Sequence, residues 1–232
     1  MLPEDLDVVV HCAASAGGRG TRDLVRSNVE ATARLAAAVA ETDCRLWIQL
    51  STVSVHGEAF DGVLDEASDS SDLSEYGETK RVAESLLQGS GAFGVRCLRL
   101  PAVLSPGARR HWPARVLAAA KRNEPIRIFN QDLLFNNAVH IDDVTEFIVH
   151  LAKTEQNGFD AFPVASADPI TVAEAAQVLI DSSGSESVVV VDSSPRPSFY
   201  VDDAYARSIY GYETRSIRAA LRDYARMDQG TR

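Results

Sequence analysis

The feature that most constrains this chain stands near its start, where Asp7-Val-Val-Val-His-Cys-Ala-Ala14 carries hardly a polar atom. A continuous β-branched run of this kind reads as a strand buried on both faces of a parallel sheet, because a half-exposed strand would alternate. Parallel partners require crossover connections, so helices must follow and return the chain to the same sheet.

The rest of the sequence keeps that rhythm. A glycine-rich turn (Gly17, Gly18 and Gly20, with Arg19 among them) leads to a helical stretch from about Asn28 to Ala40, with Val29, Leu35, Ala36 and Val39 on one side. Arg45 to Ser51 is a short apolar strand that ends in the hydroxyls of Ser51, Thr52 and Ser54. The acidic, serine-rich stretch from Asp61 to Glu75 reads as a solvated surface loop. Tyr76 to Gln88 reads as a helix buried through Val82, Leu86 and Leu87, and Val95 to Pro101 as a strand closed by its proline. Alternating strands and helices predict an α/β fold with a doubly wound parallel sheet.

Beyond Ser105-Pro106-Gly107 the pattern changes. Helices are expected at Pro113–Lys121, from near Asp142, and at Ser216–Arg226, with strands at Ile126–Phe129, Ala138–Ile141 and Ser187–Asp192. Thr171 followed three residues later by Glu174 is a capping box, opening a helix that buries Ala175, Ala176, Leu179 and Ile180. We therefore read residues 1–104 as one domain and 105–232 mostly as a smaller substrate lobe, some of whose strands can return to the main sheet.

Charge and cysteine usage narrow the function. With 33 acidic against 23 basic side chains the net charge is −10, which disfavours nucleic acid or an anionic membrane as partner. Cys12, Cys44 and Cys97 form no CxxC pair, so the expectation is a reducing, cytoplasmic setting, with Cys12 and Cys97 as small core residues. No apolar run reaches the length of a membrane span.

Tyr76-Gly-Glu-Thr-Lys80 places a phenol and an ammonium four residues apart, on one helix face. A nearby cation stabilises a phenolate, so the pair can exchange a proton with an alcohol or carbonyl. Thr52 ends an apolar strand, and open parallel sheets bind ligands at the carboxyl ends of their strands. Its hydroxyl can share the oxygen that the tyrosine protonates; equally, Ser51, Thr52 and Ser54 can satisfy loop amides.

These motifs, with Asp7–Ala14, Asn28-Val-Glu-Ala-Thr32, Leu50–Gly57, Leu98–Val103 followed by Pro106-Gly107, Val139–Val144 and Tyr210–Thr214, stand in the order found in the extended short-chain dehydrogenase/reductases. The chain resembles that family, the NAD-dependent epimerases, dehydratases and reductases, over residues 7–226. The resemblance implies a partial Rossmann-like fold and an NAD- or NADP-dependent oxidoreductase acting on a secondary alcohol or ketone of a small molecule, a nucleotide sugar above all. It implies Tyr76 as proton donor or acceptor, Lys80 as its partner, Thr52 as the second hydroxyl and Asn28 as support for the proton relay. Ala13, Ala14, Ser51, Pro101 and Val103, with Tyr76 and Lys80, would line the cofactor. His140 and Asp142 would be structural, at a strand-to-helix junction, with no metal.

The sequence also departs from the family. There the run at Asp7 is the fourth strand, and the glycine-rich phosphate turn and the acidic residue that holds the adenosine ribose come before it. Neither has a counterpart in these 232 residues. The expectation is therefore an edge at Val8–Val10, open to pairing with another chain or a homo-oligomer partner. A non-catalytic fold remnant that binds a partner or small ligand is the alternative reading. Val53-Ser54 stand where dehydratases carry Asp-Glu, which disfavours dehydration. Ala102 and Asn136-Asn137 stand where nucleotide-sugar enzymes commonly carry asparagine and arginine, which weakens the case for a diphosphate.

Overall fold

The computed structural model describes residues 2–3, 5–16, 20–57, 62–154, 157–194 and 196–227. In chain order come β1 (Val8–His11), α1 (Thr21–Leu24), a π-helical stretch (Val25–Glu30), α2 (Ala31–Val39), β2 (Leu46–Thr52) and a 3₁₀ turn (Val53–His56). Next are β3 (Gly62–Leu64), α3 (Glu75–Gln88), β4 (Gly94–Leu100), β5 (Ala102–Leu104), α4 (Trp112–Ala120), β6 (Ile126–Ile128), β7 (Leu134–Phe135) and β8 (Ala138–His140). The remainder holds α5 (Ile141–Lys153), β9 (Phe159–Pro163), β10 (Ile170–Thr171), α6 (Val172–Ser183), β11 (Val189–Val191), β12 (Phe199–Val201), α7 (Ala204–Tyr210) and α8 (Ile217–Met227). The chain divides into two compact units, 1–59 with 65–99 and 147–163, and 60–64 with 100–146 and 164–232.

The first unit is built on a four-stranded sheet of order β1-β2-β4-β9. β1 runs parallel to β2, with Val8 opposite Leu46, and β9 runs parallel to β4, with Phe159 opposite Val95. Trp47 is fully buried and stacks on Phe93 at 5.7 Å between ring centroids, in a cluster with Val39, Leu87, Val95 and Cys97. Side chains of that size stabilise by roughly 1.5–3 kcal/mol each on burial. β2 and β4 are buried along nearly their whole length, because each has a neighbour on either edge.

Three expectations are corrected here. β1 is not buried on both faces: of its residues only His11 is buried and Val10 is 41% exposed, since among the described strands β1 has one neighbour and lies at the edge. Cys12, one residue past β1, is exposed, whereas Cys44 and Cys97 are buried. Helix α3 turns inward a different face from the one its aliphatic residues mark. Val82 and Leu86 are exposed, and the buried positions are Gly77, Thr79, Lys80, Ala83, Glu84 and Leu87. A lysine and a glutamate occupy interior positions of this helix because the sheet below offers them partners, described below. The acidic stretch is a loop except at β3; Gly17, Gly18 and Arg19 lie outside the described residues.

In the second unit β5 runs parallel to β8, β6 to β11 and β3 to β12, while β7 and β10 pair antiparallel. Its core gathers Leu117, Ile128, Leu179, Leu221 and Tyr224 from α4, β6, α6 and α8. The capping box forms as expected: the Thr171 hydroxyl accepts from the Glu174 N–H at 3.1 Å, and the Glu174 carboxylate accepts from the Thr171 N–H at 2.9 Å. Arg215 donates to Asp143 at 2.8 Å and to Asp223 at 2.9 Å, tying the start of α5 to α8. Among the described residues no helix is long and apolar enough to cross a membrane.

Candidate active site

The first unit brings Thr52, Tyr76, Lys80, Asn28 and Ser51 to the carboxyl end of β2. Thr52 leaves the strand with extended backbone and caps the 3₁₀ turn. Its hydroxyl accepts from the Ser54 N–H and donates to the Ser54 Oγ, both at 3.2 Å. The amide-satisfying role open to it from sequence is thus realised, and its second lone pair stays available to a ligand.

Gly77 sets how closely α3 approaches that turn. A Cβ on Gly77 would sit 2.3 Å from the Ser54 carbonyl oxygen and 3.1 Å from its carbon. Only glycine leaves that space, so Tyr76, its neighbour, is carried up to the turn that Thr52 caps. Ser74 starts the helix by accepting from the Gly77 N–H at 3.3 Å. Tyr76 is half-buried, and its hydroxyl has no hydrogen-bond partner among the described residues.

One turn on, Lys80 is buried and donates to the Leu50 carbonyl at 2.7 Å. An ammonium has three donors, so two remain for a ligand. Burial lowers the Lys80 pKa and raises that of Tyr76. The lowering of the phenol expected from its cationic neighbour is therefore not present here: the ammonium is turned to β2, and desolvation favours the neutral phenol. In this state Tyr76 is a proton donor.

Asn28 lies in the π-helical stretch, a distortion that often marks functional sites. Its Oδ1 accepts from the Ser15 N–H at 2.7 Å, and its Nδ2 donates to the Ser15 carbonyl at 2.9 Å and to the Thr79 Oγ1 at 3.0 Å. It thereby fastens the segment that follows Ala13 and Ala14, both exposed, to α3 beside Lys80. Ser51 is buried and donates its hydroxyl to Glu84, which also pairs with Arg99 at 3.0 Å.

Pro101 and Val103 belong to the second unit, Pro101 before β5 and Val103 within it, opposite Val139 of β8. His140 ends β8 and accepts from the Asp142 N–H at 3.2 Å, a bond that opens α5. Asn136 is buried and braces β12, accepting from the Val201 N–H and donating to its carbonyl, both at 2.8 Å.

Two residues escaped the sequence reading. Gly77 has no role in the tyrosine–lysine reading, although a glycine inside a helical pattern can signal a packing or functional reason. Glu84 continues the four-residue step from Tyr76 through Lys80, so its place on the same face was there to be read.

Residues 1–165 match the family model described as the NAD dependent epimerase/dehydratase family. Among solved structures, MoeE5 in complex with UDP-glucuronic acid and NAD is 25% identical, with a TM-score of 0.81 over 99% of this chain and 81% of that one. The UDP-glucuronic acid 4-epimerase from Bacillus cereus, in complex with NAD, is 24% identical, with a TM-score of 0.80 over 98% of this chain and 76% of that one. No curated protein sequence matches. With its α/β fold, its parallel sheet and a family match over residues 1–165, the chain belongs to the NAD-dependent epimerase/dehydratase family.

Proposed function

We propose that this protein is an NAD-dependent oxidoreductase of the sugar-nucleotide epimerase type, acting on a secondary alcohol through Tyr76, Thr52 and Lys80. The observation that carries the reading is the Gly77–Ser54 approach, which sets a phenol with no hydrogen-bond partner among the described residues and a capping hydroxyl on abutting backbones, with a buried ammonium one helical turn on. NAD is favoured over NADP because MoeE5 and the Bacillus cereus epimerase are both seen in complex with NAD, and UDP-glucuronic acid, bound with NAD in the MoeE5 complex, is the substrate to try first.

The residues fit such a cofactor. Lys80 has two unused donors for a ribose diol, and the small side chains of Ala13 and Ala14 leave their backbone open beside the segment that Asn28 holds. Pro101 and Val103 are proposed as further cofactor contacts. When bound, a nicotinamide supplies hydride acceptance and return, and its oxidised ring a positive charge.

The chain's own residues manage the proton. In the oxidising direction Tyr76, as the phenolate, accepts the hydroxyl proton, and the neutral phenol so formed donates it back to the carbonyl oxygen on reduction. Lys80 stabilises that phenolate. Thr52 turns its hydroxyl from the Ser54 Oγ to the same oxygen and fixes the lone pair that Tyr76 meets. Asn28 keeps the Ala13–Ser15 segment and α3 in one register.

The test is conversion of UDP-glucuronic acid in the presence of NAD, followed by proton NMR, for wild type and Tyr76→Phe. Loss of general acid–base catalysis costs about 10²–10⁴-fold in kcat, and that loss is expected. Wild-type conversion by the variant would remove Tyr76 from the chemistry. Titration with NADH by fluorescence checks the cofactor and separates an enzyme from a non-catalytic remnant; absence of binding contradicts the proposal.

A further inference from the structure

The buried face of α3 carries a carboxylate that the proposed chemistry does not use. Glu84 lies one turn beyond Lys80 and is buried on that same face. From β2 the Ser51 hydroxyl donates to it, and from β4 Arg99 binds it at 3.0 Å. Arg99 in turn donates to the His56 Nε2 at 3.2 Å and reaches the Glu66 carbonyl at 3.4 Å. A carboxylate clamped from two strands is fixed in place, four residues beyond Lys80 on the buried face of the same helix.

Lys80 needs such a partner. It has left water, its one hydrogen bond is to a neutral carbonyl, and desolvation favours losing its proton. After desolvation, the groups that act on it are, largest first, Cys97 on β4, Glu84 and Cys12 beyond β1, while His11 on β1 feels the ammonium in return. Burial pushes the Cys97 thiol well up and lowers His11, so both are neutral near pH 7. Cys12 is a surface thiol. Glu84 is the carboxylate in that set.

Resting on the reading that Lys80 serves Tyr76, we propose that Glu84 is a positioning residue of the active site, whose Ser51- and Arg99-clamped carboxylate keeps the buried Lys80 an ammonium. It touches neither substrate nor cofactor. Its hydrogen bond from Ser51 also couples the end of β2 to α3, so the strand residue before Thr52 is held against the helix that carries Tyr76 and Lys80.

The experiment reads Lys80 directly. Lys80, Lys121 and Lys153 are the only lysines, so ¹³C,¹⁵N-lysine labelling gives three side-chain signals to titrate, assigned with Lys80→Arg. In Glu84→Gln the Lys80 pKa is expected to fall by about one unit, the size of a nearby opposite charge, while Lys121 and Lys153 stay put. Glu84→Gln with Arg99→Gln removes both charges at once, so neither is left buried alone; because the Arg99 cation leaves with the carboxylate, Lys80 is expected to fall in it by less than in Glu84→Gln. Cys12→Ser in each background removes the other acid from the comparison. The alkaline limb of the kcat profile moves down with Lys80; a purely structural role lowers kcat equally at every pH. Lys80 titrating at its wild-type position in both folded variants overturns the inference. A Tyr76→Phe enzyme of full activity would overturn the functional reading instead and leave the Lys80 titration standing.

Discussion

Gly77→Ala separates geometry from stability. The new Cβ would lie 2.3 Å from the Ser54 carbonyl oxygen, whereas carbon contacts are comfortable at about 3.5 Å, so the two backbones must part by roughly 1 Å. The carbonyl belongs to a turn held by Thr52 and the helix start is held by Ser74, so neither side yields easily. Overpacking of this kind costs about 1–3 kcal/mol, and replacing a helical glycine by alanine returns about 1 kcal/mol. The net loss of stability is therefore about 0–2 kcal/mol, measured by urea unfolding. Activity responds far more: a displacement of about 1 Å between catalytic groups costs on the order of 10²-fold, read as the kcat for conversion of UDP-glucuronic acid with NAD. Gly89→Ala is the control, because a Cβ at that end of the same helix meets nothing nearer than 3.7 Å. A folded Gly77→Ala protein with wild-type kcat refutes the reasoning.

Other expectations follow from the same contacts. Thr52→Ala removes a cap worth about 1 kcal/mol and a hydroxyl aimed at the reacting oxygen, for a kcat loss of roughly 10²-fold, while Thr52→Ser keeps both; equal activity in the two would place Thr52 outside the chemistry. Asn28→Ala frees the Ser15 segment from α3, and its signature is a raised Kd for NADH in the fluorescence titration. The buried histidines give a pH dependence of definite sign. His56 directs Nδ1 to the Ser68 carbonyl at 2.8 Å and receives Arg99 at Nε2, so it is neutral with its proton on Nδ1. Burial lowers its pKa below the unfolded value of 6.5, so its contribution is present above pH 6.5 and lost as pH falls through the folded value. The urea midpoint is expected to drop between about pH 7 and pH 5, less steeply in His56→Gln; an unchanged slope in that variant would contradict the assignment.

The elements and the chemistry were legible in the sequence to different depths. Strand–helix alternation and the capping box at Thr171 depend on local pattern, and both are found where that pattern stands. Helix α3 shows where pattern fails. Its aliphatic residues Val82 and Leu86 point to the wrong face, because the buried polar residues Thr79, Lys80 and Glu84 find Asn28, Leu50 and Ser51 as partners in distant parts of the chain. Composition cannot announce a partner that only the fold supplies. The apolar Val8–Val10 run by itself reads as buried on both faces, whereas the family order of strands makes it an edge; burial depends on which strands stand beside it, and among the described strands β2 alone does. The tyrosine–lysine spacing was plain, yet the direction of the Tyr76 shift was not, since it follows from where the ammonium turns.

The convergence of the Tyr76 phenol and the Thr52 hydroxyl on one oxygen, with Lys80 beneath, is tested most directly by a crystal structure with NAD and UDP-glucuronic acid soaked in. The account predicts one sugar hydroxyl within hydrogen-bond distance of both the Tyr76 and Thr52 oxygens. A bound sugar that presents no oxygen to that pair would contradict it.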